Sequence, residues 1–563
     1  MDYKELVKYY EELEGTTKKL EKTDILSKLL KKCSLEELDL IVYLVQGKVF
    51  PEWDERKIGF SSRLMLKAIS SVTGVNSEEV EKLWKKKGDL GTVVEELIGK
   101  KKQTTLVSRK LDTKKVFENI RKLAELEGEG TVNKKVQLVA ELLSNSNDKE
   151  AKFIVRTVLE DLRVGVKEGI IRDAIGKAFE KNVDEVEEAF NLTVDYGEVA
   201  KLAKQNKLKD IEIRPGRPAK LMLPVLVNSV DEGIEALGKT VQAEFKMDGF
   251  RIQIHKNNKE IKLFTRRMED VTKQFPDVVE FVKKHVKGEK FIIDCEAVGL
   301  DKKTNKYMPF QNISQRIKRK YDIEQTAKEF PVELNIFDIL YLDGKDLMKL
   351  PLIERRKILE KNVREKKWEV VLTRKLVSSD EKEISEFFNE SLKAGNEGIM
   401  LKNINSFYIP GRYVEGWCKL KNVLEPLDLV IVGATWGEGK RAGELSSYIV
   451  ACRDKDKFLE CGMASTGMKE KENEEGDATY KEMTKLLKPL ITKEEGRTVF
   501  VKPKIIIEVG YEEIQKSPSY SSGYALRFPR VLRLRNNEKT LSEINTIKDV
   551  EKIYNYQRGK KII

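Results

Sequence analysis

Apolar residues recur every three or four positions through the first two hundred residues, as in KLLKKCSLEELDLIVYLV. That spacing predicts a run of amphipathic helices over residues 1 to about 210. Ser34 with Glu37, and Asn76 with Glu79, have the spacing of capping boxes that open helices. Polar breaks fall at GEGTVNKK and SNSNDKE, and DLRVGVKEGIIRDAIGKAF sets a Gly-bearing turn before a periodic helix. At IRPGRPAKLMLP three prolines cluster and the period changes from helical to alternating. Strands follow at EIKLFTRR, KFIIDCEAVGL, VELNIFDILYLDG, EGIMLKN and GWCKLKN, with helical stretches between them. Beyond VLEPLDLVIVGATWGEGKRAG the strands shorten and are punctuated by glycine, the pattern of a small β-barrel. LSEINTIKDVEKIYNY returns to helical spacing and is expected to pack back on the body. The expected architecture is multidomain: all-α over 1–212, α+β over 213–424, and a β-barrel with a terminal helix over 425–563.

Composition changes this picture little. The 563 residues are 36% charged with a net charge of +12, which favours a polyanionic partner but equally fits a general lysine bias. The five cysteines, at 33, 295, 418, 452 and 461, form no C-x-x-C pair, so neither a zinc site nor a disulfide framework is expected. No apolar run approaches membrane length and the opening residues do not read as a signal peptide, so the expectation is a cytoplasmic protein with no membrane partner.

Charge placement within the α+β region is more informative. In EFKMDGFR, an extended strand would project Glu244, Lys246 and Asp248 from one face and bury Phe245 and Met247. Asp294 and Glu296 share a face in FIIDCEAV, as do Lys419 and Lys421 in GWCKLKN. Any one such strand reads equally well as half-exposed sheet. Several together, mixing lysines with acids, suggest a cleft for a charged ligand and a metal. A lysine attacks only when neutral, so desolvation or neighbouring cations such as Arg251 would have to tune it. The acids suit magnesium, which prefers oxygen ligands, and further cations would neutralise phosphates. These ingredients fit lysine attack on a phosphate.

KMDGFR resembles the first motif of the covalent nucleotidyltransferases, and the rest of that superfamily's series follows in order: FTRR, DCEAV, NIFDILYLDG, EGIML and WCKLK. YALRFPRVLRLR is similar to the closing motif of ATP-dependent DNA ligases, and FIVRTVLEDLRVGVKEGIIRDAI resembles the DNA-binding region of the archaeal and eukaryotic replicative members. The chain therefore resembles the archaeal ATP-dependent DNA ligases over nearly its whole length. The resemblance implies a helical DNA-binding domain, an ATP-grasp-like nucleotidyltransferase domain and an OB-fold. It also implies ATP and Mg2+ as cofactors, nicked duplex DNA as partner, a monomer, and nick sealing in replication, repair and recombination. By the same resemblance, Lys246 attacks the α-phosphorus of ATP, Glu244 reads the adenine edge and Phe337 stacks on the ring. Arg251 and Arg266 hold phosphate or ribose, Glu296 and Glu397 serve ribose or magnesium, and Lys419 and Lys421 contact the α-phosphate. Arg527 and Arg530 serve the first step, and Arg163, Gly165 and Lys167 approach DNA.

The family usually carries an arginine six residues before Lys419; here Tyr413 stands there, and the neighbouring Arg412 is assigned that contact with ATP. RLRNNEK is longer than the family's R-x-R-x-D-K and leads with asparagines. Gln103–Val107, QTTLV, stands where related archaeal ligases carry a sliding-clamp segment; lacking their aromatic pair, it reads equally as an inter-helix loop. His255 and His285 are expected to be surface or satisfied histidines, and WGEGKRAG lacks P-loop spacing. A capping guanylyltransferase would not need the upstream helices, an NAD-dependent ligase would carry a four-cysteine zinc site, and a non-enzymatic clamp would not need the ordered motifs.

Overall fold

The computed structural model describes residues 1–557 except 55, 101–109, 127, 129, 302–303, 305, 309, 318, 320, 413–414, 422–423, 438–440, 442, 470–478 and 537. The QTTLV segment therefore lies outside the described residues. Among the described residues, no helix is long and apolar enough to cross a membrane.

Among the described residues, twelve α-helices run from Tyr3–Glu14 to Tyr196–Lys204, as the helical period requires. Their apolar stripes merge into one core, in which the rings of Tyr10 and Phe153 lie 5.0 Å apart. The helix starts differ in detail from the expected boxes. Asn76 does cap Ser77–Lys87, but it accepts from the Glu78 N–H and no reciprocal bond from Glu79 forms. Ser34 and Glu37 do bond each other, yet the helix begins only at Leu38. The other oxygen of the Glu37 carboxylate pairs with the N-terminal ammonium. A full capping box instead joins Asn147 and Glu150, in the SNSNDKE break, and opens Asp148–Val158.

After the proline cluster the described residues fold into a parallel pair of Met222–Leu223 with Gly411–Arg412 and two larger sheets. One has seven strands, with the central order Val370–Leu372, Val332–Leu342, Lys290–Asp301, Phe250–Asn257, Glu260–Thr265. The other has five, in the order Lys375–Ser378, Val241–Lys246, Gly398–Asn403, Trp417–Lys421, Val225–Val227. The described residues from Leu427 to Leu534 add a further seven-stranded sheet and the hairpin of Glu513–Lys516 with Tyr524–Arg527. The strands described there form an open sheet. Its core, around Leu429, Tyr448, Val450 and Ile507, takes in Val550 of the terminal helix Ile547–Tyr556. Packing divides the chain into two compact units that alternate in sequence. The first holds Met1–Val225, Asp248–Arg374 and Lys402–Trp417; the second holds Leu226–Met247, Lys375–Leu401 and Cys418–Ile563.

Candidate active site

Several of the residues singled out by the sequence form one cluster in each unit. In the second unit, Lys246 ends the strand Val241–Lys246, and its carbonyl accepts from the N–H of Glu397 at 2.9 Å. The Lys246 Nζ stands 2.6 Å from Glu397 Oε2, and the Lys421 Nζ stands 2.9 Å from the same oxygen. Lys421 also reaches Glu512 Oε2 at 3.2 Å. Gly398 makes this approach possible: a Cβ there would sit 2.1 Å from the Leu420 carbonyl oxygen. Burial pushes the Glu397 carboxyl up, but the two ammoniums outweigh it and hold the group at about 2. Burial likewise pushes Lys421 down, and Glu397 followed by Glu512 more than restores it.

Alternation places Glu244 on the face of Lys246, buried, with its carboxylate accepting from Gln242 Nε2 at 2.6 Å. Phe245 takes the other face, 4.7 Å from the ring of Phe387. Asp248 lies beyond this strand, which ends at Lys246. The chain turns at Asp248–Gly249 to enter Phe250–Asn257, and Gly249 lies so close to the next strand that a Cβ would meet the Ala297 carbonyl oxygen at 2.4 Å. Lys419 is half-buried on the face of Lys421.

In the first unit, Arg251 pairs in register with Glu296, on Phe250–Asn257 and Lys290–Asp301 respectively. Its guanidinium reaches diagonally to Asp294 Oδ2 at 2.7 Å and donates to the Met222 carbonyl at 2.6 Å and the Tyr408 hydroxyl at 3.0 Å. That hydroxyl donates to Asp294 Oδ2 at 2.6 Å and accepts from the Met222 N–H at 3.1 Å. Burial opposes the Arg251 charge, but Asp294 keeps it firmly cationic. Phe337 owes its direction to a β-bulge. Cys295 pairs with Ile336 and Asp294 with Asp338, so Phe337 is the extra residue on its strand. Its ring meets that of Trp417 edge-on at 6.0 Å, and the Lys402 ammonium lies 4.6 Å from Phe337 and 4.4 Å from Trp417. Behind the bulge, Asp338 takes both arms of the fully buried Arg355, which also donates to the Ser406 carbonyl two residues before Tyr408.

Arg266 is exposed just beyond Glu260–Thr265. Arg412 lies in the short strand Gly411–Arg412, with its side chain outside the described residues. Arg527 reaches Glu513 Oε2 at 3.1 Å, and Arg530 is exposed. Arg163 has a left-handed backbone and donates to Asp161 and to the Gly88 carbonyl; Gly165 shares the left-handed conformation, and Lys167 precedes the helix Glu168–Phe179. The buried Lys22 Nζ donates to the Val164 carbonyl and so pins this loop.

His255 is satisfied but buried rather than on the surface, whereas His285 leaves a buried Nδ1 without a partner among the described residues. The His255 Nδ1 accepts from the Gly216 N–H at 3.2 Å, which leaves Nε2 to donate to Gln253 Oε1 at 2.8 Å. Desolvation lowers it to about 3. His285 pairs with Glu369 at 2.7 Å. Among the described residues, no three His, Cys, Asp or Glu side chains gather as a metal cluster. Sequence reasoning left Lys402, Tyr408 and Trp417 without roles. Only Asp294 carried a signal, by sharing the face of Glu296.

Residues 221–421 match the family model of the ATP dependent DNA ligase domain, 2–176 that of the DNA ligase N terminus, and 441–538 that of the ATP dependent DNA ligase C terminal region. The chain is 47% identical to a DNA ligase of Nanoarchaeum equitans, with 99% of each chain covered. It is 41% identical to a DNA ligase of Thermococcus fumicolans, with 100% of each covered. The solved structure Pmar-Lig_Pre shares the fold at 15% identity and a TM-score of 0.57, over 94% of this chain and 99% of that one.

Proposed function

The chain belongs to the ATP-dependent DNA ligase family, which seals nicks in duplex DNA, and we propose that its covalent chemistry runs on Lys246. The observation that carries this reading is the shared carboxylate: Lys246 and Lys421 both sit on Glu397 Oε2, at 2.6 and 2.9 Å. A phosphate arriving at Lys421 competes for that charge. Lys421 then leaves Glu397 Oε2, and the carboxylate, freed of one of the two ammoniums that hold it low, takes the Lys246 proton and leaves the neutral amine needed for attack. The Lys246 Nζ bonds to the α-phosphorus of ATP, the bond to the β-phosphate oxygen breaks, and pyrophosphate leaves. The AMP passes to the 5′-phosphate of the nick, and the 3′-hydroxyl displaces it to close the strand.

Lys419 and Lys421 neutralise the α-phosphate, Arg527 and Arg530 the departing pyrophosphate, and Arg266 and Arg412 hold phosphate or ribose. Glu244 reads the base edge and Phe337 stacks on the ring. Arg251, tied to Asp294 and Tyr408, keeps a fixed cation beside that ring. Glu296 and Glu397 are hard oxygen donors, and Glu397 stays ionised, so both fit Mg2+. When bound, that ion would supply charge neutralisation for the phosphates. The helical region grips the nicked duplex through Arg163, Gly165 and Lys167, where the glycine of the pinned loop leaves room for a backbone. We divide the work at 212/213 and 424/425 and assign the C-terminal strands to an OB-fold.

The test is incubation with ATP labelled at the α-phosphate, then denaturing electrophoresis and peptide mapping. Wild type should carry AMP on Lys246. Lys246→Arg, which stays protonated, should carry none, and label persisting there would overturn the assignment. Arg527→Ala should label slowly yet seal a pre-adenylylated nick at close to the wild-type rate, since that step releases no pyrophosphate.

A further inference from the structure

Lys421 and Arg527 are both assigned to the phosphates of ATP, and each is held by one of two adjacent acids. Lys421 Nζ lies 3.2 Å from Glu512 Oε2, and Arg527 Nη1 lies 3.1 Å from Glu513 Oε2. The backbone fixes this arrangement. Glu513 and Arg527 are directly opposed in the hairpin of Glu513–Lys516 with Tyr524–Arg527, and the Glu512 N–H donates to the Arg527 carbonyl at 3.0 Å. One residue earlier, the Tyr511 hydroxyl donates to the Glu425 carbonyl at 3.0 Å, four residues past Lys421. Glu513 has one further partner, Gln515 Nε2 at 3.1 Å. The Glu512 side chain is 49% exposed, so its hold on Lys421 is weak and exchangeable, unlike a buried pair.

We propose that Glu512 and Glu513 stand in for phosphate in the nucleotide-free enzyme, and that their displacement from Lys421 and Arg527 sets the ATP concentration at which the enzyme charges itself. This rests on the phosphate roles given above to Lys421 and Arg527. A carboxylate brings one charge to each cation. A triphosphate brings several charges and more acceptor oxygens, so it wins the exchange when present. Until then the fraction of enzyme with free cations is reduced, and the apparent ATP affinity falls by that fraction. The same pairing keeps two converging cations from holding adventitious anions between turnovers.

The measurement is single-turnover self-adenylylation against ATP concentration, for wild type, Glu512→Gln, Glu512→Asp and Glu513→Gln, with thermal unfolding of each. Glu512→Gln should lower the half-saturating ATP concentration roughly two- to fivefold, the range of an exposed ion pair. Glu512→Asp, which keeps the charge, should stay near wild type, and Glu513→Gln should move the same way as Glu512→Gln. An unchanged or raised half-saturation in both glutamine variants would overturn the proposal. So would a Glu512→Gln protein that no longer folds, since the contact would then be structural. If wild type itself carries no label on Lys246, the assignment of the reaction fails. If it does and the glutamine variants leave half-saturation unmoved, only the role of the two acids fails.

Discussion

Glu397 and Asp294 are both carboxylates paired with basic side chains on sheet strands, yet they are built for opposite purposes. Asp294 is fully buried, and its partners Arg251 and Tyr408 are fixed by the Met222 backbone. Glu397 keeps a quarter of its side chain exposed and divides one oxygen between two lysines, one of which also leans on Glu512. The first network holds a cation at a constant place beside the rings of Phe337 and Trp417. On the roles proposed above, the second holds charges that an arriving phosphate would displace. Burial decides which is which, because a dry pair has no water to replace a lost partner.

The contrast can be broken most directly by neutralising each acid. Asp294→Asn should destabilise the protein by about 3–5 kcal/mol in thermal or denaturant unfolding, because the Arg251 charge is left buried without a counter-ion. Glu397→Gln should cost less stability than Asp294→Asn, because a quarter of the Glu397 side chain stays exposed, while lowering self-adenylylation and sealing together. Equal stability losses would abolish the distinction. Tyr408→Phe sharpens the fixed side: it strips one acceptor from the Met222 N–H and from Arg251, for an expected loss of about 1–3 kcal/mol, read by denaturant unfolding.

A further test concerns pH. His255 is neutral in the folded state down to about 3, whereas the unfolded residue takes a proton near its ordinary 6.5. The unfolded chain therefore binds more protons between these values, and stability must fall as pH drops from 6.5 towards 3. Glu397 adds a second loss lower down: its stabilising pairs are fully present above its ordinary 4.5 and disappear as pH falls towards 2. Unfolding midpoints for wild type and His255→Gln between pH 7 and 4.5 should converge as pH falls. Parallel curves would remove His255 from the account.

Much of this was legible in the residues themselves. The helical period marked the first two hundred positions, because an amphipathic stripe must be written into the spacing that buries it. Two-residue alternation set Glu244 with Lys246, Asp294 with Glu296, and Lys419 with Lys421, because pleating fixes sides locally. Where a strand stops is decided by its neighbours, so the alternation could not show that this one ends at Lys246, before Asp248. Phe337 illustrates the limit best. The motif named it, but its aim comes from a bulge, which exists only because one strand pairs with another some forty residues away. Tyr408 and Lys402 carried no local pattern at all, and their places depend on which buried donors and rings the sheets bring within reach. Sequence determined which groups have the right chemistry and which side of a strand they take. Tertiary structure alone decided which of their charges are dry and fixed and which are wet and exchangeable, because solvent exposure is a property of the packed chain and not of any segment of it.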